Sequence, residues 1–279
     1  MSEKVWLITG CSSGFGRALA QAALQRGDRV LACARDTGTL VELAAHWPAT
    51  VHLFELDVTD PAQRAAAVAE ALSVFQRVDV LVNNAGYGLL GALEECSPDQ
   101  IRHNFEVNFF APLELIRLLL PHFRAVGGGH VVNISAAAAI GNYAGFGIYG
   151  AAKCALEGAS ESLAAELRAF GAKVTIVQPG PFRTDFISRS MRRAPAEDSA
   201  YGASVGKFGA FLDSVNGRQP GDPALAARAI LKAVDAERPP ARLVLGKYAL
   251  EKARRVARQR EAELAAWEAE SLSADGPAV

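Results

Sequence analysis

The stretch that most constrains this chain is Val5, Trp6, Leu7, Ile8 and Thr9, followed by Gly10, Cys11, Ser12, Ser13, Gly14, Phe15 and Gly16. An apolar, β-branched run without alternation reads as a strand covered on both faces. Three glycines at spacings of four and two then lead into residues 17–24, whose composition is that of a helix. Glycine permits positive φ and close approach of a ligand, while a helix start offers free N–H groups and partial positive charge to a pyrophosphate. Strand, glycine turn and helix in that order point to a dinucleotide site. The G-x-x-x-G-x-G spacing departs from the G-x-G-x-x-G fingerprint, so the rest of the chain must carry the argument.

That context is a regular alternation. Residues 29–34 read as a second strand, and residues 50–56 as a third that closes on Asp57 and Val58. Asp60 and Pro61 open an alanine-rich helix as N-cap and first turn. A fourth strand, 78–82, ends in Asn83, Asn84, Ala85 and Gly86. Ser97, Pro98 and Gln100 form a capping box for a long helix reaching about residue 123, with Asn108 inside it. A fifth strand, 129–134, ends at Ser135, and a small-residue stretch leads to a helix carrying Tyr149 and Lys153 on one face. The sixth strand, 173–178, is stopped by Pro179 and Gly180; Asp222 and Pro223 open a further helix, and residues 242–245 form a last strand.

Strands alternating with helices predict an α/β Rossmann fold, a doubly wound parallel sheet of about seven strands with helices on both faces. Residues 1–279 read as a single domain. Residues 181–221 lose periodicity and read as a substrate lid, with Phe182, Phe186, Phe208 and Phe211 as candidate pocket walls. Residues 271–279 read as a disordered tail. Ligands bind such sheets at the C-terminal ends of strands, where Gly10, Arg35, Asp57 and the residues from Asn83 to Gly86 converge. After the second strand comes Arg35 rather than a terminal carboxylate, with Asp36 one place beyond, which favours NADP(H) over NAD(H).

A net charge of −1 with interspersed signs provides no field for nucleic acid. No apolar run approaches the ~20 residues of a membrane span, and no secretion signal opens the chain. Cys11, Cys33, Cys96 and Cys154 have no metal or dithiol spacing; each is expected to be a small buried residue, in a reducing cytoplasmic setting.

Taken together, the turn at 9–16, Asp57-Val58, Asn83 to Gly86, Asn108, Tyr149 to Lys153 and Pro179-Gly180 with Thr184 resemble the short-chain dehydrogenase/reductase family to about residue 246. The wording of the turn, of NNAGYG and of QPGPFRT looks most like its 17β-hydroxysteroid dehydrogenase-like and retinol dehydrogenase-like members. The resemblance implies hydride exchange with a small hydrophobic alcohol or carbonyl compound, in a homodimer or homotetramer. It implies Tyr149 as general acid/base, Lys153 lowering the phenol pKa and holding the nicotinamide ribose, and Asn108 shaping its helix for a water relay. Gly10, Ser12, Ser13, Gly14, Phe15, Gly16, Arg35, Asp57, Val58, Asn84, Ala85, Gly86, Pro179, Gly180 and Thr184 would line the cofactor.

One position departs from the pattern. Thirteen residues before the tyrosine, where the family has its hydrogen-bond-donating serine, stands Ala136; Ser135 is one place early. Either the loop after it is rearranged so that Ser135 reaches the substrate, or the donor is absent. In the second case the chain could be an impaired NADP(H)-binding sensor or scaffold.

Overall fold

The apolar runs become the strands of one parallel sheet. The computed structural model describes residues 3–195 and 200–276. In chain order the elements are β1 (Val5–Ile8), α1 (Gly14–Gln25), β2 (Arg29–Ala34), α2 (Val41–His46), β3 (Val51–Glu55), α3 (Pro61–Phe75), β4 (Val80–Asn83), β5 (Gly88–Leu90), α4 (Pro98–Phe105) and α5 (Ala111–Val126). There follow β6 (Gly129–Ile134), α6 (Ala137–Ile140), α7 (Gly147–Glu166), β7 (Ala172–Pro179), β8 (Met191–Arg193), α8 (Lys207–Val215), α9 (Pro223–Asp235), β9 (Arg242–Leu245), α10 (Lys247–Ala266) and α11 (Glu268–Ser273).

The seven-stranded sheet has the order β3-β2-β1-β4-β6-β7-β9, parallel throughout. The chain winds outward from β1 to β3, then crosses back to β4 and winds the other way. The order therefore reverses between β1 and β4, which opens a crevice at their C-terminal ends. Alternation of side chains divides the core into two layers. Trp6 and Ile8 pack with Leu19, Ala23 and Ile230 of α1 and α9 on one face, whereas Leu7 and Leu81 pack with Val68, Leu115 and Phe123 of α3 and α5 on the other.

Local chemistry fixes the helix starts. Asp60 Oδ1 accepts from the N–H groups of Ala62 and Gln63, and Asp222 Oδ1 accepts from that of Ala224. The Ser97 and Gln100 side chains each accept from the other's N–H.

Some features depart from expectation. The long helix after Ser97 is α4 and α5 joined through a π turn at Glu106–Phe110. Within the expected lid, β8 pairs with β5 in a second, two-stranded sheet, and residues 196–199 lie outside the described residues. Residues 271–273 of the expected tail are helical in α11, and residues 277–279 lie outside the described residues. Cys154 is exposed, unlike the other three cysteines, because α7 turns it outward. Among the described residues no helix is long and apolar enough to cross a membrane.

Candidate active site

The glycine turn is held open by its neighbours across the crevice. Thr9 Oγ accepts from the N–H groups of Asn84 and Ala85, both at 3.0 Å. Asn84 Nδ2 donates to the Thr9 and Gly10 carbonyls at 2.8 and 3.0 Å. A Cβ at Gly10, where φ is +71°, would lie 2.9 Å from Ala85 Cα, and one at Gly16 would lie 2.4 Å from Asn84 Nδ2. Only glycine allows the ends of β1 and β4 to approach this closely. Asn84 thus braces the turn with its side chain; Ser12, Ser13 and Gly14 are left at the start of α1.

Ring contacts and short approaches place the remaining cofactor candidates. Phe15 packs on Phe182 with centroids 5.0 Å apart, which turns both rings into the core beside α1. Thr184 faces Gly14, and Gly180 lies against Ala249. Pro179 ends β7. Asp36 accepts from Gly38 N–H at 2.8 Å and is used as a turn cap, whereas Arg35 is exposed at the end of β2. Burial tends to raise the Asp57 pKa, but hydrogen bonds from Thr59 and the charge of Arg35 hold it below the usual carboxylate value. Arg35 and Asp57 therefore share one rim of the crevice, with Val58 buried beside them.

At the other rim the π turn aims Asn108 inward. Its Nδ2 donates to the carbonyls of Tyr87 and Asn104, at 3.0 and 3.1 Å, while its Oδ1 is buried with no protein partner among the described residues. Lys153 is buried and donates to the Ile134 carbonyl at 2.9 Å. A Cβ on Gly86 would fall 2.7 Å from Asn108 Oδ1 and 3.4 Å from Lys153 Nζ, so the three meet at one point. Burial pulls the Lys153 pKa down to about 8 against the opposing charge of Glu157. Tyr149, one turn earlier on α7, is buried among Phe146, Phe186 and Ala136, and desolvation pushes its phenol well above the ordinary value.

Ser135 does not join them. Its hydroxyl donates to Glu157 Oε1 at 2.5 Å, and Gln178 Nε2 donates to both Glu157 oxygens at 2.9 Å. Arg242 Nε stands 3.5 Å from the same carboxylate. A hydroxyl has one proton, and a buried carboxylate holds it tightly. The Ser135 hydroxyl is thus a partner of Glu157 in this structure, and Ala136 is the residue beside Tyr149.

The four phenylalanines named in residues 181–221 divide. Phe186 and Phe208 join the aromatic cluster over Tyr149; Phe182 belongs to the main core, and Phe211 is half-exposed. Sequence reading missed Glu157 and Gln178. Glu157 stands four residues after Lys153, a spacing that puts it on the Tyr149–Lys153 face of α7 and could have revealed it. Gln178 is positioned by the place of β7 between β6 and β9 in the sheet.

The glycine cradle, the free α1 start and the orphaned Asn108 oxygen fit a nicotinamide dinucleotide lying across the crevice, and among the described residues no cluster could hold a metal ion. The short chain dehydrogenase family matches residues 4–194. An oxidoreductase of Botryotinia fuckeliana, BOA17, is 35% identical over 271 residues, covering 97% of this chain and 98% of its own. A short-chain dehydrogenase of Streptomyces avermitilis is 45% identical, with a TM-score of 0.93 over 98% of this chain and 99% of its own. Two Burkholderia relatives, each 26% identical, hold cofactors: that of Burkholderia phymatum NAD (TM-score 0.81, 94% of this chain and 95% of its own) and that of Burkholderia cenocepacia NADP (TM-score 0.74, 95% and 97%).

Proposed function

The chain belongs to the short-chain dehydrogenase family, and from that premise we propose that it is an NADP(H)-dependent oxidoreductase interconverting a hydrophobic secondary alcohol and its ketone, or reducing a related carbonyl. The observation that carries this reading is the meeting of Lys153 Nζ and the unpartnered Asn108 Oδ1 at Gly86, one helical turn from Tyr149. A cofactor-binding sensor would have no use for a buried lysine beside an orphaned carbonyl next to a phenol. The solved relatives hold both NAD and NADP, so the preference for NADP(H) rests on Arg35 and on the diversion of Asp36 to a turn cap.

The glycine turn, the start of α1 and Lys153 would hold a nicotinamide dinucleotide across the crevice, where it would exchange a hydride with the substrate carbon. Tyr149 gives its phenolic proton to the substrate oxygen during reduction and takes it back during oxidation. Burial outweighs any pull of Lys153 toward the phenolate, so Tyr149 stays protonated, and the Lys153 ammonium would offer donors to the ribose. The unpartnered Asn108 Oδ1 supports a water held between Lys153 and solvent, through which the proton on Tyr149 would be replenished. The aromatic cluster over Tyr149 suits an apolar substrate of the kind implied by resemblance to 17β-hydroxysteroid and retinol dehydrogenase-like proteins. In a homodimer or homotetramer, α5 and α7 would supply the contact, where Leu113, Ile116, Leu120, Leu156 and Leu163 line a shallow groove.

The test is oxidation of NADPH and NADH by the purified protein across steroid, retinoid, aromatic and aliphatic carbonyls. Turnover of an apolar ketone supports the reading; binding of NADPH without turnover of any carbonyl would transfer support to the sensor. Arg35→Ala separates the cofactors. It should weaken NADPH by about tenfold, the loss of one exposed charge-assisted phosphate contact, while NADH affinity barely moves. An equal loss for both would refute the role of Arg35.

A further inference from the structure

α10 leaves the body of the protein half-way along its length. Ala249 and Lys252 are buried, and Ala253 and Val256 pack beside Ala137 and Ile140 of α6, but every residue from 257 to 276 is exposed. Residues 257–266 of the helix therefore project by about 15 Å, at 1.5 Å per residue, with α11 beyond them. This arm carries apolar side chains into solvent: Leu264, Trp267 and Leu272 are each about two-thirds exposed. Leu250, Ala257 and Leu264 recur every seven residues with Trp267 three beyond, the spacing of a seam made for another helix. A short helix without tertiary packing is marginal in water, so a partner for this seam would stabilise the arm.

The charges of the arm are sorted along its axis. Lys252, Arg254, Arg255, Arg258 and Arg260 follow one another with no acidic residue between them, and beyond them come Glu261, Glu263, Glu268, Glu270 and Asp275 with no Lys or Arg. Lys252 is turned inward over the Tyr143 ring; the others are exposed. Among the described residues the only ion pair of α10 is Lys247 with Glu251 at its start. Such sorting does not serve the lone helix. Arg254 and Arg258 repel each other one turn apart, and the acidic residues collect toward the C-terminal end, where the helix dipole favours cations and the last turn holds none. An antiparallel pair resolves both conflicts, because two copies crossing near residues 260 and 261 lay the basic run of each along the acidic run of the other. We propose that the α10–α11 arm is an interface with a second copy of this chain, two arms pairing antiparallel about a twofold axis and covering Leu264 and Trp267. The contact is distinct from the α5–α7 groove and does not depend on the oxidoreductase reading. An anionic bilayer is a poorer occupant, since Glu263, Glu268 and Glu270 surround Trp267 in the sequence and would be repelled by its headgroups.

Analytical ultracentrifugation of the full chain and of a chain ending at Arg260 reads the contact directly. Truncation should halve the mass of the assembly, from tetramer to dimer or from dimer to monomer, with Tm little changed because the removed residues are exposed. Two full-length variants test the pairing itself. Arg254→Glu, Arg258→Glu and Arg260→Glu together make the arm acidic, whereas Glu261→Lys, Glu263→Lys and Glu268→Lys together make it basic. Each alone should associate through the arm at least about tenfold more weakly than the parent, and an equimolar mixture of the two should recover the parent's mass. A full chain that sediments as a single copy would overturn the proposal, as would a truncation that leaves the mass of the assembly unchanged or a mixture that associates no better than either variant. Single copies that bind vesicles of phosphatidylserine and phosphatidylcholine through the arm would assign the surface to a membrane instead.

Discussion

Tyr149→Phe is expected to lower turnover by about 10³-fold, the usual contribution of a positioned acid/base group, while the affinity for NADPH stays within about threefold. The substitution removes one oxygen and leaves the ring, which packs on Phe146 and Phe186 and maintains the local fold. Because burial pushes the phenol up, the protonated form dominates at neutral pH, the form that reduction requires. Steady-state rates and cofactor titration of the same preparation decide the matter. Turnover within tenfold of the parent would assign the proton transfer to another group.

The second large effect concerns the neighbouring position. Ala136 lies in the cluster around Tyr149, and Ser135, the adjacent serine, is held by Glu157. Ala136→Ser should therefore restore a donor to the substrate oxygen and raise kcat by about 10²-fold, the amount commonly lost when such a donor is removed. Ser135→Ala is the contrasting variant. It takes a hydrogen bond from a buried carboxylate and should cost about 2 kcal/mol of stability, seen as a lower Tm, while kcat changes by less than the Ala136→Ser gain. A large rate loss in Ser135→Ala with no gain in Ala136→Ser would return the donor role to Ser135. The pair separates side-chain direction from mere proximity, since consecutive residues leaving a strand point to opposite sides.

The Glu157 network has a further consequence for the fold. Glu157, Lys153 and Ser160 are buried positions on α7 tied respectively to Ser135 and Gln178, to the Ile134 carbonyl, and to Asn133. Asn133 continues the chain to Asn83 on β4. These bonds fix the rotation of α7 about its axis, and with it the direction in which Tyr149 faces.

What the sequence determined by itself was everything that local periodicity and local hydrogen bonding write into it. The apolar runs, the caps at Asp60, Ser97 and Asp222, and the glycine spacing at Gly10, Gly14 and Gly16 sufficed for a doubly wound parallel sheet with its crevice at the ends of β1 and β4. The four-residue spacing of Tyr149 and Lys153 placed both on one face of α7, because helix geometry is the same wherever the helix lies. Tertiary structure alone decided which distant partner the other polar groups found. Asn84 turned toward the glycine turn, Ser135 was captured by a carboxylate from a helix formed later in the chain, and Lys252 was buried over an aromatic ring more than a hundred positions away. The strand pairing of β5 with β8 and the π turn around Asn108 were equally hidden. Periodicity records which face of an element is apolar, whereas the partner of a buried donor depends on the packing of distant segments, which no local window contains.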